Sequence, residues 1–183
     1  MKKLIICLCC ILVLSCKTDK AINTENSIAS INTIVQKNQD VKIPNNPYQI
    51  KLNLNKLKNA NYDLEIIMKL NDSAHFVSPN AKRDFSGKFS VFYEDNEVIN
   101  KLGILKENPL SKEEIDDHPF VRGTVNWVNV NTTYTQQIQV KTKENFQVLG
   151  HIQFTIEPRC TLEKIPFIIK NKNGDLTFKI FKN

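Results

Sequence analysis

Phe146-Gln147-Val148-Leu149-Gly150-His151-Ile152-Gln153-Phe154-Thr155-Ile156 carries an apolar or small residue at every second position, with mostly polar residues between. That period places Phe146, Val148, Gly150, Ile152, Phe154 and Ile156 on one face of a strand half sunk in a core. The same rhythm recurs in Tyr134, Gln136, Ile138 and Val140, in Val121, Gly123, Val125 and Trp127, and in Leu176, Phe178 and Ile180. Residues 48–57, 63–70 and 89–93 are further strand candidates. Asn173-Gly174, between residues 167–170 and 176–181, is a two-residue hairpin turn. Ser111 ahead of Glu113, Glu114 and Ile115 reads as the start of one helical turn, which His118-Pro119 then ends. About seven strands over residues 47–183, without a long helix, predict an all-β domain, an immunoglobulin-like antiparallel β-sandwich. A parallel sheet would require crossover helices.

The amino-terminal quarter has a different character. Met1-Lys2-Lys3 is followed by an apolar run over residues 4–14, too short to span a bilayer that needs roughly 20 helical residues. A multi-pass membrane protein is excluded. Val13-Leu14-Ser15-Cys16 resembles the lipobox of bacterial lipoproteins, in which the Cys thiol is acylated and becomes the mature amino terminus. The alternatives are an ordinary secretory signal with an accidental Cys16, or a short anchor. On the lipobox reading, residues 1–15 are a signal peptide and Cys16 is the lipidation site. The partner implied is a membrane, inner or outer, with the domain in the cell envelope outside the cytoplasm. Two acyl chains anchor a protein stably where one is marginal. Residues 16–46, polar and closing on Pro44-Asn45-Asn46-Pro47, read as a flexible tether in which Ile28, Ile31, Ile34 and Val35 make at most one short helix.

Removal of the signal changes both the charge and the sulfur count. The net charge falls from +6 to +4 as Lys2 and Lys3 leave. Cys7, Cys9 and Cys10 leave too and Cys16 carries lipid, so Cys160 is the one thiol of the five that remains. An intrachain disulfide is then ruled out. A lone Cys is either a buried small hydrophobe or a thiol that pairs with another molecule.

Five scattered glycines build no phosphate-binding loop, and GxSxG, HExxH and dinucleotide fingerprints are missing. No cofactor is expected. His75, His118 and His151 are far apart in sequence, and Glu113, Glu114, Asp116 and Asp117 lack EF-hand spacing, so no metal site is assigned. The mild basicity, without interleaved aromatics, points away from nucleic acid. Trp127 and Tyr134, flanking residues 129–133, would suit either a sugar-stacking surface or a core.

Several segments stand in a telling order: Ala74-His75-Phe76-Val77-Ser78-Pro79, Leu102-Gly103-Ile104-Leu105-Lys106-Glu107 and Ile115-Asp116-Asp117-His118-Pro119-Phe120. Tyr134-Thr135-Gln136-Gln137-Ile138-Gln139-Val140 and Val148-Leu149-Gly150-His151-Ile152-Gln153-Phe154 follow, running into Arg159-Cys160-Thr161-Leu162. Over about half the chain this resembles the periplasmic amino-terminal domain of the thiol:disulfide interchange protein DsbD and its Bacteroidetes relatives. The resemblance implies an immunoglobulin-like fold, a cysteine pair that exchanges disulfides with partner proteins, and an Asp and aromatic cap loop over that pair. Cys160 matches the second cysteine, and Asp117 and Phe120 sit where the cap belongs. Thr155-Ile156-Glu157-Pro158, where the first cysteine would fall, has none. One sulfur cannot complete the intramolecular exchange cycle. The expected function is therefore a non-catalytic protein-binding module on a lipid anchor. The alternatives are a thiol:disulfide exchange partner using Cys160 alone, favoured if Arg159 supports its thiolate, and a glycan- or surface-ligand-binding lipoprotein.

Overall fold

The computed structural model describes residues 46–119 and 121–181. The segments expected as signal peptide and tether, up to residue 45 and with Cys16 between them, and Phe120, lie outside the described residues. In chain order the strands are β1 (Tyr48–Lys56), β2 (Asn61–Leu70), β3 (Phe76–Val77), β4 (Ser90–Tyr93), β5 (Ile99–Asn108) and β6 (Glu113–Asp116). After these come β7 (Gly123–Val128), β8 (Thr132–Val140), β9 (Phe146–Ile156), β10 (Thr161–Lys172) and β11 (Asp175–Ile180). All pairings between them are antiparallel. The expected all-β antiparallel sandwich is what forms among the described residues.

Two four-stranded sheets, ordered β1-β2-β8-β5 and β11-β10-β9-β4, share one core, and a three-stranded sheet, β3-β7-β6, is added. Alternation explains the core directly. Leu64, Ile66 and Met68 of β2 and Tyr134 and Ile138 of β8 are buried, as are Val148, Ile152, Phe154 and Ile156 of β9 and Phe167 and Ile169 of β10. A smaller cluster of Val77, Ala81, Val121 and Val125 lies beside the third sheet. β7 serves both clusters, so Val125 packs into the small one while Val128 belongs to the large one.

Three segments depart from the expected pattern. Residues 113–116 form strand β6 instead of a helical turn, in register from Glu113 opposite Asn126 to Asp116 opposite Gly123. Four residues gain more from the open edge of β7 than from an isolated turn with a costly nucleus. β5 has no even alternation because a bulge shifts its register between Leu102 and Lys106, with Gly103 at φ +67°. β10 begins at Thr161, six residues before the expected Phe167, and runs through Pro166. The Pro166 carbonyl accepts from the Phe181 amide at 2.9 Å. In an antiparallel ladder the carbonyl and the missing N–H point the same way, so the lost donor falls at the end of β11.

Glu107 of β5 ties the third sheet's surroundings to the sandwich. Its Oε2 accepts from Ser78 Oγ at 2.5 Å and its Oε1 from the Ser111 amide at 2.7 Å. The buried Tyr134 hydroxyl lies close enough to feel this carboxylate without hydrogen-bond geometry. Burial first, and then Glu107, push its pKa up.

Candidate functional site

The turn of residues 157–160 closes the β9–β10 hairpin, whose first register pair is Thr161 opposite Ile156. Cys160 ends that turn at φ +52° and is exposed. A left-handed backbone suits a tight turn. The reading of Cys160 as a buried small hydrophobe is thereby corrected. Arg159 does not turn to the thiol. Its Nη2 pairs with Glu163 Oε1 at 2.5 Å and its Nε donates to Thr161 Oγ1 at 3.2 Å. The other carboxylate oxygen of Glu163 accepts from the Tyr48 hydroxyl at 2.9 Å. The Tyr48 ring meets Phe154 edge-on at 5.0 Å, so the turn is tied to the core through β1. Burial, reinforced by Glu163, pushes the Tyr48 hydroxyl's pKa up.

Next to this turn lies a second cluster. Glu157 and His75 exchange backbone hydrogen bonds at 2.8 and 3.2 Å, which fixes the approach to β3 against the end of β9. The His75 ring stands perpendicular to the Trp127 indole at 4.8 Å. Trp127 Nε1 donates to Asp116 Oδ2 at 2.9 Å, and Asp116 Oδ1 accepts from the His118 amide at 2.8 Å. Trp127 borders two clefts of about 300 and 390 Å³, the first reaching Leu110 and Val130 and the second reaching Asp72 and His75. Glu114 and Asn129 line both clefts. Of the expected sugar-stacking pair, Trp127 faces these clefts while Tyr134 is fully buried in the core.

The His118 amide, then the indole N–H, hold the Asp116 carboxyl below its ordinary range. A carboxylate with a depressed folded-state pKa contributes above its unfolded value, about 3.9, and the contribution is lost as the pH falls through the lower folded value. Trp127 is the sole tryptophan, so its emission reports this contact. Acidification should shift the emission at a pH below the ordinary carboxylate range, and Asp116→Asn should abolish that step while far-UV circular dichroism stays constant. An identical transition in Asp116→Asn would refute the coupling.

Among the expected site residues, Cys160 is exposed in the hairpin turn and Asp117 is exposed in the β6–β7 connection. Among the described residues no hydrogen bond or ion pair joins their side chains. Phe120 and Cys16 lie outside the described residues. The carboxylate in the network is Asp116, which the sequence presents as one of several neighbouring acids. Its signal is local: an Asp two residues ahead of an amide it can accept from, just before a proline, marks an Asx turn. Among the described residues no group of three His, Cys, Asp or Glu side chains is arranged to hold a metal ion.

No family model matches the chain, and no curated protein matches it. Solved structures similar in fold include a chain of the complex between the DsbD N-terminal and the PilB N-terminal domains from Neisseria meningitidis. That chain is 9% identical, with 72% of this chain and 87% of that one covered and a TM-score of 0.42. The Neisseria meningitidis DsbD N-terminal domain in the reduced form is also similar. It is 8% identical, with 73% of this chain and 90% of that one covered and a TM-score of 0.43.

Proposed function

We propose that the chain is a protein-binding module without catalytic chemistry of its own, held at a cell-envelope membrane, outside the cytoplasm, by lipid on Cys16. The observation that supports it most is the solitary exposed thiol, Cys160, the only cysteine after Cys16, whose neighbouring cation is committed to Glu163. Dithiol exchange needs one thiolate to attack and a second to resolve the mixed disulfide.

The exposure of Cys160 gives the redox reading its one specific support. In that reading the thiolate attacks a partner's disulfide, one S–S bond forms as another breaks, and the partner's second sulfur leaves as thiolate. Capture from envelope extracts by the full chain, run on non-reducing diagonal gels, separates the two. The binding reading expects the same partner with wild type and Cys160→Ser and no thiol-linked spot. A partner lost in Cys160→Ser, with a mixed disulfide in wild type, would replace it with the redox reading. Intact mass of the mature chain checks acylation at Cys16.

A further inference from the structure

The outward face of the β11-β10-β9-β4 sheet carries a row of rings bordered by lysines. Positions facing away from the core alternate with Val148, Ile152 and Phe154, and paired residues of antiparallel strands share a face. One transverse row therefore crosses β4, β9 and β10 and reaches the residue just past β11: Phe92 opposite His151, His151 opposite Pro166, and Pro166 bonded through its carbonyl to Phe181. Leu149 opposite Ile168 extends it. Phe92 is 45% exposed and lies flat on the His151 ring, with centroids 4.8 Å apart and planes 19° apart, and Phe181 is 37% exposed. Phe92, His151, Pro166 and Phe181 wall a cleft of about 350 Å³.

Lysines flank that row on both sides. Lys164 lies opposite Gln153, Lys170 opposite Gln147 and Lys179 opposite Ile168, and Lys164 and Lys170 are exposed. Lys172 is offset by Asp175, its register partner at the hairpin tip. The one carboxylate at the cleft is Glu94, just past β4. Lys164 and Lys170 are separated by roughly 20 Å of strand at about 3.3 Å per residue.

We infer that this face docks an acidic segment of a partner protein, extended, with one aromatic or long aliphatic side chain seated in the Phe92–Phe181 cleft and carboxylates on either side of it. Concavity and charge together select this occupant. A bilayer is flat and leaves the cleft unfilled, whereas a side chain fills it, and the lysines complement carboxylates spaced along an extended chain. The inference rests on the reading of the chain as a protein-binding module and names the surface and chemistry of the contact, which is separate from the Cys160 turn.

Two fluorescein-labelled peptides test it by anisotropy against the full chain: one tryptophan flanked by glutamates, and the same peptide with lysines for the glutamates. The glutamate peptide should bind at least tenfold more tightly, and raised salt should weaken it. In the triple variant Lys164→Glu, Lys170→Glu, Lys179→Glu the order of the two peptides should reverse. Phe92→Ala should weaken both peptides by a similar factor, with an unchanged circular dichroism melt. An unreversed order, or indifference to Phe92→Ala, overturns the assignment, as does preferential binding of phosphatidylglycerol vesicles or of a labelled oligonucleotide over the glutamate peptide. If the peptides fail while Cys160-independent capture of a partner succeeds, the module reading stands and only this surface is wrong.

Discussion

Phe154→Ala is expected to lower the unfolding free energy by about 3–5 kcal/mol, the range for removing a fully buried aromatic ring. Phe154 is 0% exposed and its ring lies 5.0 Å from Tyr48, 5.1 Å from Phe76 and 5.8 Å from Phe89. Phe89 in turn stacks on Tyr134 at 4.0 Å. This ring cluster links β1, the short β3, β8 and β9, so the void falls where the two large sheets and the third one meet. Rigid neighbours on several sides cannot collapse into it, which puts the cost high in the range. A domain stable by roughly 5–15 kcal/mol would lose a large fraction of its margin. Urea titration followed by Trp127 emission measures it, with Phe154→Leu expected to lose less than half as much. A Phe154→Ala loss below about 1 kcal/mol would mean that the rings do not pack as described.

Phe154 also shows why the fold was legible. It lies in the longest run of unbroken alternation, and one-sided burial leaves that alternation little choice of register, because a slip by one residue would turn every apolar side chain to water. β2, β8 and β11 were readable for the same reason. The elements misread were those in which a second force competes with alternation. A bulge at Gly103 resets the count within β5, Pro166 breaks the expectation of a central strand, and β6 has no buried face of its own but borrows the edge of β7. Its Ile115 is 77% exposed, so the pattern held nothing to find.

The site was legible in part. Its lone thiol follows from counting cysteines, but exposure does not: it depends on where the turn of residues 157–160 places Cys160, and a Cys in such a turn carries no sequence mark. The pairing of Arg159 with Glu163 could be anticipated from spacing only once both were known to flank a hairpin, since the four-residue separation suggests a helix. The network of His75, Trp127 and Asp116 joins residues from three segments through backbone pairing of β3, β7 and β6, and no local pattern encodes such a meeting.

The second large effect concerns Gly150, whose place in the alternating run looks like that of any core residue. A Cβ there would lie 2.4 Å from Phe167 Cζ and 2.4 Å from the Phe92 carbonyl oxygen. Phe167 is the cross-strand partner of Gly150, and its ring covers the site a side chain would fill. Gly150→Ala therefore forces either the fully buried Phe167 ring or the β4 backbone to move. Overpacking of this kind costs typically 1–3 kcal/mol and more when a backbone atom blocks relief, so a loss of about 3 kcal/mol is expected. The melting temperature should fall by roughly 10 °C. Phe167→Leu in the Gly150→Ala background removes one obstruction and leaves the Phe92 carbonyl, so it should recover only part of the loss, with a non-additive cycle. Full recovery would assign the conflict to the ring alone. If the β4 backbone is what yields, Phe92 shifts with it, and the acidic peptide should lose affinity for Gly150→Ala even below its melting temperature. The same glycine would then set both the close approach of β4 to β9 and the placement of the exposed ring that the partner meets.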